Sequence, residues 1–126
     1  MERAVVVFAV IQMVVIGLSH IARPHAWVRF FDRLREHGEA GVFLFAFLTL
    51  WFGSIIVAFH NVWSGIPILL TIFGWGQVVK GLIYFILPEF ALRRFAFVRP
   101  ERAWVFRFGG VFLVAAGALL AYDLVN

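Results

Sequence analysis

The fold is decided by residues 66–87, which read IPILLTIFGWGQVVKGLIYFIL. A helix that crosses the hydrocarbon core of a bilayer needs about 20 mostly apolar residues, and this run is long enough. It also contains Lys80, the only lysine of the chain. A charged group at membrane depth costs roughly 2.5–3.5 kcal/mol on insertion scales, so it needs a partner, a cavity or a route to the interface. We therefore predict a transmembrane helix here, with Lys80 as the first candidate for a functional residue.

Three further apolar runs cover residues 4–22, 40–60 and 103–124. Of the 126 residues, 63% are hydrophobic and 14% are charged, whereas soluble domains have roughly 45–50% and 25%. The sequence therefore predicts an all-α membrane protein, a single domain of residues 1–126 with four transmembrane helices. Because the chain has no cysteine, disulfide bonds and thiolate metal sites are excluded.

The arginines predict the orientation in the membrane. One arginine, Arg3, precedes the first run, and the other nine lie in or next to loop 1 (residues 23–39) and loop 3 (residues 88–102). These nine are Arg23, Arg29, Arg33, Arg35, Arg93, Arg94, Arg99, Arg102 and Arg107. Because positively charged loops stay in the cytoplasm, we expect loops 1 and 3 to be cytoplasmic and both termini to lie outside. The protein is then a multi-pass protein of the bacterial inner membrane.

Both basic loops combine arginines with apolar side chains at helical spacing. Loop 1 carries Trp27, Phe30, Phe31 and Leu34 among Arg29, Arg33 and Arg35, and loop 3 carries Phe90, Leu92, Phe95 and Phe97 beside Arg93 and Arg94. This pattern predicts a short amphipathic helix in each loop, lying along the membrane interface near anionic headgroups. Membrane lipids are thus expected partners, and a basic face pressed onto lipid argues against binding of nucleic acid.

The two halves of the chain share a pattern. The series Gly17, Pro24, Arg29 and Phe31 recurs at a constant offset as Gly81, Pro88, Arg93 and Phe95, and GVFL at residues 41–44 recurs at residues 110–113. The pattern predicts two similar helical hairpins related by an axis along the membrane normal. Equivalent helices would then face each other along seams of small residues, including Gly74 and Gly81 on the third helix and Gly110 and Gly117 on the fourth. Chance similarity within apolar sequence is the alternative.

Few polar side chains occur within or at the ends of the predicted helices. The candidate polar site or path consists of Gln12, His60, Asn61, Thr71, Gln77 and Lys80. These groups could line a route through the membrane, or form ordinary interhelical hydrogen bonds, which average only about 0.6 kcal/mol. Lys80 could equally extend its stem toward the cytoplasmic headgroups, and His60 and Asn61 could cap the end of the second helix.

No catalytic, phosphate-binding or dinucleotide-binding motif occurs in the sequence. The four histidines, His20, His25, His37 and His60, do not have the spacing of metal ligands, and His60 lies at the opposite end from the other three. We therefore expect no catalytic residues, no metal and no cofactor.

Residues 60–88 resemble a group of small bacterial integral membrane proteins. The resemblance rests on His60-Asn61-Val62-Trp63-Ser64-Gly65, then Thr71, Gly74-Trp75, Lys80-Gly81 and Pro88, which match an HNxWxG turn, a TxxGW stretch and a KG pair before a proline. The four-helix plan is also similar to that of the DoxX-like membrane bundles. The resemblance implies that Lys80, His60 and Asn61 act as a unit, and it implies no particular activity.

Three functions are compatible with these patterns. The first is a non-enzymatic membrane protein that forms a homo-oligomer or serves as an accessory subunit of a larger membrane complex. The second is a transporter or channel for a small solute, an anion or protons, with Lys80 on its path. The third is a protein that binds a lipid, a quinone or a pigment among its aromatic side chains.

Overall fold

The computed structural model describes residues 2–126, and it is helical almost throughout. The long helices are α1 (Glu2–Ala22), α3 (Glu39–Phe59), α4 (Ile68–Ile86) and α6 (Trp104–Val125). Two shorter helices, α2 (Pro24–Glu36) and α5 (Pro88–Ala96), and a 3-10 turn at Pro100–Arg102 complete the described part of the chain. All four long helices are long and apolar enough to cross a membrane, which confirms the prediction of an all-helical chain with four potential membrane spans.

Proline and glycine residues fix the ends of the helices. Pro24 and Pro88 occupy the first positions of α2 and α5, where the missing N–H of proline costs nothing. Gly38, between α2 and α3, has a φ of 60°, and Gly65, in the turn before α4, has a φ of 71°. Residues with a side chain rarely adopt such angles, so these two glycines allow the chain to reverse direction.

The four long helices pack mainly as two antiparallel pairs, α1 with α6 and α3 with α4. The glycines predicted to line seams do so. A Cβ atom on Gly110 of α6 would lie 2.5 Å from the carbonyl oxygen of Gly17 on α1, and one on Gly74 of α4 would lie 2.6 Å from Ile56 of α3. However, these seams join non-equivalent helices, so the expectation that equivalent helices of a repeat face each other was wrong.

Buried apolar side chains form two clusters, one toward each end of the bundle. The first contains Val5, Val6, Ala9, Met13, Ile56, Leu70, Ala116 and Leu120. The second contains Leu34, Val42, Ala46, Tyr84, Ala91 and Phe95. Around them the outward surfaces of the long helices remain apolar, as at Phe108 (72% exposed) and Ile86 (66% exposed). An apolar exterior of this kind suits a bundle whose solvent is lipid.

Helices α2 and α5 lie at the same end of the bundle and contact each other. Each turns apolar side chains inward, since Val28 and Leu34 of α2 and Phe95 of α5 are buried. We call this end, where the arginines of loops 1 and 3 lie, the arginine-rich end. The other end, where α1 and α4 begin and α3 and α6 finish, is the terminal end.

Candidate functional site

The turn between α3 and α4, residues 60–67, is held by side chains from the predicted polar set. His60 is 1% exposed, and its Nε2 lies 2.9 Å from the carbonyl oxygen of Pro67. The hydroxyl of Thr71 donates to the carbonyl oxygen of Val62 at 2.7 Å and accepts the N–H of Val62 at 3.1 Å. Two side chains thus satisfy three backbone groups of one turn.

Asn61 connects the same turn to both neighbouring helices. Its Nδ2 donates to the carbonyl oxygen of Val57 at 2.6 Å, near the end of α3. Its Oδ1 accepts the indole N–H of Trp75 on α4 at 3.0 Å. The structure therefore brings together His60, Asn61 and Thr71, and it adds Trp75, which the candidate polar set did not include.

A cavity of about 290 Å³ opens beside His60 at the terminal end. Its lining comes from α1, α6 and the turn: Glu2, Arg3, Val6, His60, Pro67, Leu120, Asp123 and Leu124. The Nδ1 atom of His60 points toward Glu2, whose Oε1 lies 3.4 Å away. We call this cavity the terminal pocket. It is the one place in the described chain where the structure gathers carboxylates, a guanidinium and a buried imidazole around a cavity.

Sequence reasoning missed three charged residues of the terminal pocket, Glu2, Arg3 and Asp123. Glu2 and Asp123 are almost a full chain length apart, and only the packing of α1 against α6 brings them together. One signal was present in the sequence, because these two are its only acidic residues outside loops 1 and 3.

Lys80 lies in the other half of the bundle, among aromatic rings. Its Nζ atom is 4.9 Å from the ring centre of Phe45 on α3 and 5.9 Å from that of Tyr84 on α4. Phe31 of α2 and Phe95 of α5 continue the cluster, and their ring centres lie 5.2 Å and 5.5 Å from the ring centre of Phe45. The lysine stem thus runs toward the arginine-rich end but finishes on aromatic faces, which attract a cation. No carboxylate within residues 2–126 pairs with it.

The remaining members of the predicted polar set do not join these groups. Gln77 packs against Gly53 of α3. Gln12 is half-buried on α1, and neither glutamine side chain makes a hydrogen bond within the described chain. The terminal pocket contains His60 but not Thr71, Gln77 or Lys80. The predicted polar set therefore divides into two parts. At the terminal end its side chains hold the turn between α3 and α4, and toward the arginine-rich end Lys80 lies on aromatic rings.

At the arginine-rich end the predicted basic residues are accessible from outside the bundle. Arg29, Arg33, Arg35, Arg93 and Arg94 are all exposed. Arg35 forms an ion pair with Asp32 at 3.3 Å, which is worth little in stability because both groups are accessible to solvent. A second cavity of about 340 Å³ lies between this pair and Arg99. The electrostatic consequence is a positive surface at this end of the bundle.

An aromatic contact near the same end involves a histidine. The ring of His20 stacks on Trp27 with 4.2 Å between the ring centres, and its Nδ1 lies 2.7 Å from the carbonyl oxygen of Ile16. The indole N–H of Trp27 donates to the hydroxyl of Ser19 at 2.9 Å. These contacts fasten the start of α2 to the end of α1. Within residues 2–126, no group of three or more His, Asp and Glu residues is placed to hold a metal ion.

Comparison of the chain with protein-family models, curated proteins and solved structures finds no match. The structure itself defines a helical bundle with four helices that are long and apolar enough to cross a membrane. The resemblance of residues 60–88 to the HNxWxG group of membrane proteins stays a prediction.

Proposed function

We propose that this chain is a non-enzymatic integral membrane protein that associates through its transmembrane surface, forming a homo-oligomer or serving as an accessory subunit of a larger complex. One observation carries the proposal: the hydrogen bonds of Thr71 and Asn61 are made within the bundle, and the ammonium of Lys80 rests on its own aromatic rings. A conducting path needs polar groups that replace the hydration shell of the solute. These polar groups already have partners within the protein, and Lys80 lies far from the other two. They therefore favour a structural role over a conducting path.

We further propose that the arginine-rich end faces the cytoplasm of a bacterial inner membrane, with both termini outside. Nine of the ten arginines belong to this end, and positive loops are retained in the cytoplasm. Helices α2 and α5 would then lie in the interface, with buried Val28 and Phe95 toward the bundle and exposed Arg29 and Arg93 toward anionic lipids.

A two-fold duplication remains part of this proposal. Each half contributes a long helix, a short helix that begins with proline, and a second long helix. The pairs α1 with α6 and α3 with α4 exchange under a two-fold operation, because each joins the first helix of one half to the second helix of the other. This pairing supports two parallel repeats in which each long helix packs against a long helix of the other repeat, rather than two hairpins that each pack on themselves.

The surface best suited to association is an exposed strip on α4, which we call the Gly76 face. It consists of Ile72, Gly76, Val79 and Ile83, all exposed at helical spacing. A Cβ atom placed on Gly76 would meet nothing within 4 Å, so this glycine is not needed for packing inside the bundle. Small residues on a lipid-facing surface allow two helix backbones to approach closely.

We expect the protein to form dimers or larger assemblies in lipid bilayers, and Gly76→Leu to convert them to monomers. Because the chain has no cysteine, one dye can be attached at Ser64→Cys, and photobleaching steps in dilute liposomes then count the copies. Gly109→Leu is the matched control, since Gly109 on α6 is also free of neighbours within 4 Å of its Cβ position. Single-step bleaching of the wild type in all lipids would contradict self-association.

Lys80→Met tests the transporter alternative. We expect vesicles containing the wild type, Lys80→Met or Lys80→Arg to show the same proton and chloride flux as vesicles without protein. The physical reason is that the Lys80 ammonium is 4.9 Å from the Phe45 ring centre, where it is stabilised by the ring rather than offered to a solute. A wild-type flux that Lys80→Arg keeps and Lys80→Met abolishes would establish transport and refute the structural role of this lysine.

A further inference from the structure

The hydrogen bonds of His60 indicate which kind of group could bind in the terminal pocket. The carbonyl oxygen of Pro67 can only accept, so the Nε2 of His60 carries the hydrogen across their 2.9 Å contact. In a neutral imidazole the Nδ1 atom is then an acceptor. This atom is buried and has no hydrogen-bond partner within residues 2–126. A buried acceptor left without a donor is costly, by roughly 1–3 kcal/mol.

The group facing this Nδ1 cannot satisfy it when ionised. Glu2 Oε1 lies 3.4 Å away, and a carboxylate is an acceptor only. When His60 is neutral and Glu2 is ionised, two acceptors therefore face each other across the inner wall of the terminal pocket. A group that carries several N–H donors, placed beside both atoms, would satisfy the imidazole and the carboxylate together.

The remaining lining of the terminal pocket narrows the chemistry of that group. Asp123 adds a second carboxylate, and the one cationic side chain of the lining, Arg3, donates to the carbonyl oxygen of Leu124 at 3.4 Å. The side chains of Val6 and Leu120 supply an apolar wall. A net negative charge beside an apolar wall suits a cation with a short hydrocarbon part. The cavity, at about 290 Å³, is near the lower limit of ligand pockets, which hold about 300–1,000 Å³.

We propose that the terminal pocket binds a small primary ammonium ion, whose N–H groups donate to His60 Nδ1 and to the carboxylates of Glu2 and Asp123. Its hydrocarbon part lies against Val6 and Leu120. The proposal goes beyond the association function, because the terminal pocket is formed by α1, α6 and the turn and does not involve the Gly76 face.

Histidine-selective ¹⁵N NMR of the detergent-solubilised full chain, titrated with n-propylamine at neutral pH, tests the proposal. The resonance of an unprotonated imidazole nitrogen is well separated from that of a protonated one, so Nδ1 of His60 reports its partner directly. We expect a saturable shift of this resonance at millimolar amine. Tetramethylammonium, which has the charge but no N–H donor, is expected to leave it in place.

Variants of the carboxylates complete the test. Glu2→Gln and Asp123→Asn are expected to weaken amine binding about three-fold each, the size of a partly exposed ion pair. Glu101→Gln removes a carboxylate at the arginine-rich end and should change nothing. Equal responses to propylamine and tetramethylammonium, or equal weakening by Glu101→Gln, would overturn the proposal. The proposal is also wrong if His60 Nδ1 already carries a proton in the absence of amine and its resonance does not change when amine is added.

Discussion

Gly110→Ala is expected to destabilise the folded bundle by at least about 1–3 kcal/mol, the usual cost of forcing extra atoms into a packed interface. A Cβ atom on Gly110 would lie 2.5 Å from the carbonyl oxygen of Gly17 and 2.8 Å from the Cβ atom of His20. The carbonyl oxygen belongs to the backbone of α1, so no side-chain rotation relieves the overlap. The two helices must separate, which costs van der Waals contact along their whole interface.

Gly109→Ala is the matched control, because it changes the neighbouring residue in the same way. Its Cβ position has no heavy atom of the bundle within 4 Å, so we expect no loss of stability. The measurement is the unfolding midpoint of each variant in mixed micelles, followed by circular dichroism while the fraction of denaturing detergent increases. Equal midpoints for the two variants would show that α1 and α6 do not approach each other at Gly110 as the structure has them.

The positions of the long helices could be predicted from the sequence because hydrophobic length is a local property. The run at residues 66–87 became the helix Ile68–Ile86, and the run at residues 40–60 became Glu39–Phe59. The predicted and observed bounds differ by only one or two residues at each end. Pro67, for example, precedes the first residue of α4 and adopts helical angles without belonging to the helix.

Which glycines are packed closely could also be predicted, but their partners could not. Helical spacing placed Gly110 and Gly117 on one face, and both contact α1 in the structure. The sequence does not state which helix that face meets, because crossing and pairing depend on all the helices together. The same dependence explains why the expected seam between equivalent helices was wrong.

The candidate site was only partly predictable for a related reason. His60, Asn61 and Thr71 are near one another in sequence, and the structure joins them in one turn. Glu2 and Asp123 approach His60 only through the packing of helices from opposite ends of the chain. Lys80 meets Phe45 across the pairing of α3 with α4, so its partner depends on that pairing rather than on its own helix.

Thr71→Val is expected to produce the second large loss of stability, about 1–3 kcal/mol for each backbone group left without a partner. Valine has nearly the shape of threonine, so the substitution removes hydrogen bonds and opens no cavity. Thr71 is fully buried (0% exposed), and its hydroxyl satisfies both the N–H and the carbonyl oxygen of Val62. The unfolding midpoint in mixed micelles measures the loss.

Two controls separate the hydrogen bonds of Thr71 from its packing. Thr71→Ser keeps the hydroxyl and removes one methyl group, so it should retain more stability than Thr71→Val. Thr49→Val removes the hydroxyl of another largely buried threonine (7% exposed); this hydroxyl makes no side-chain hydrogen bond within the described chain and is not enclosed, so the substitution should cost little. If Thr71→Val were no worse than Thr49→Val, the hydroxyl of Thr71 would not be what holds the turn.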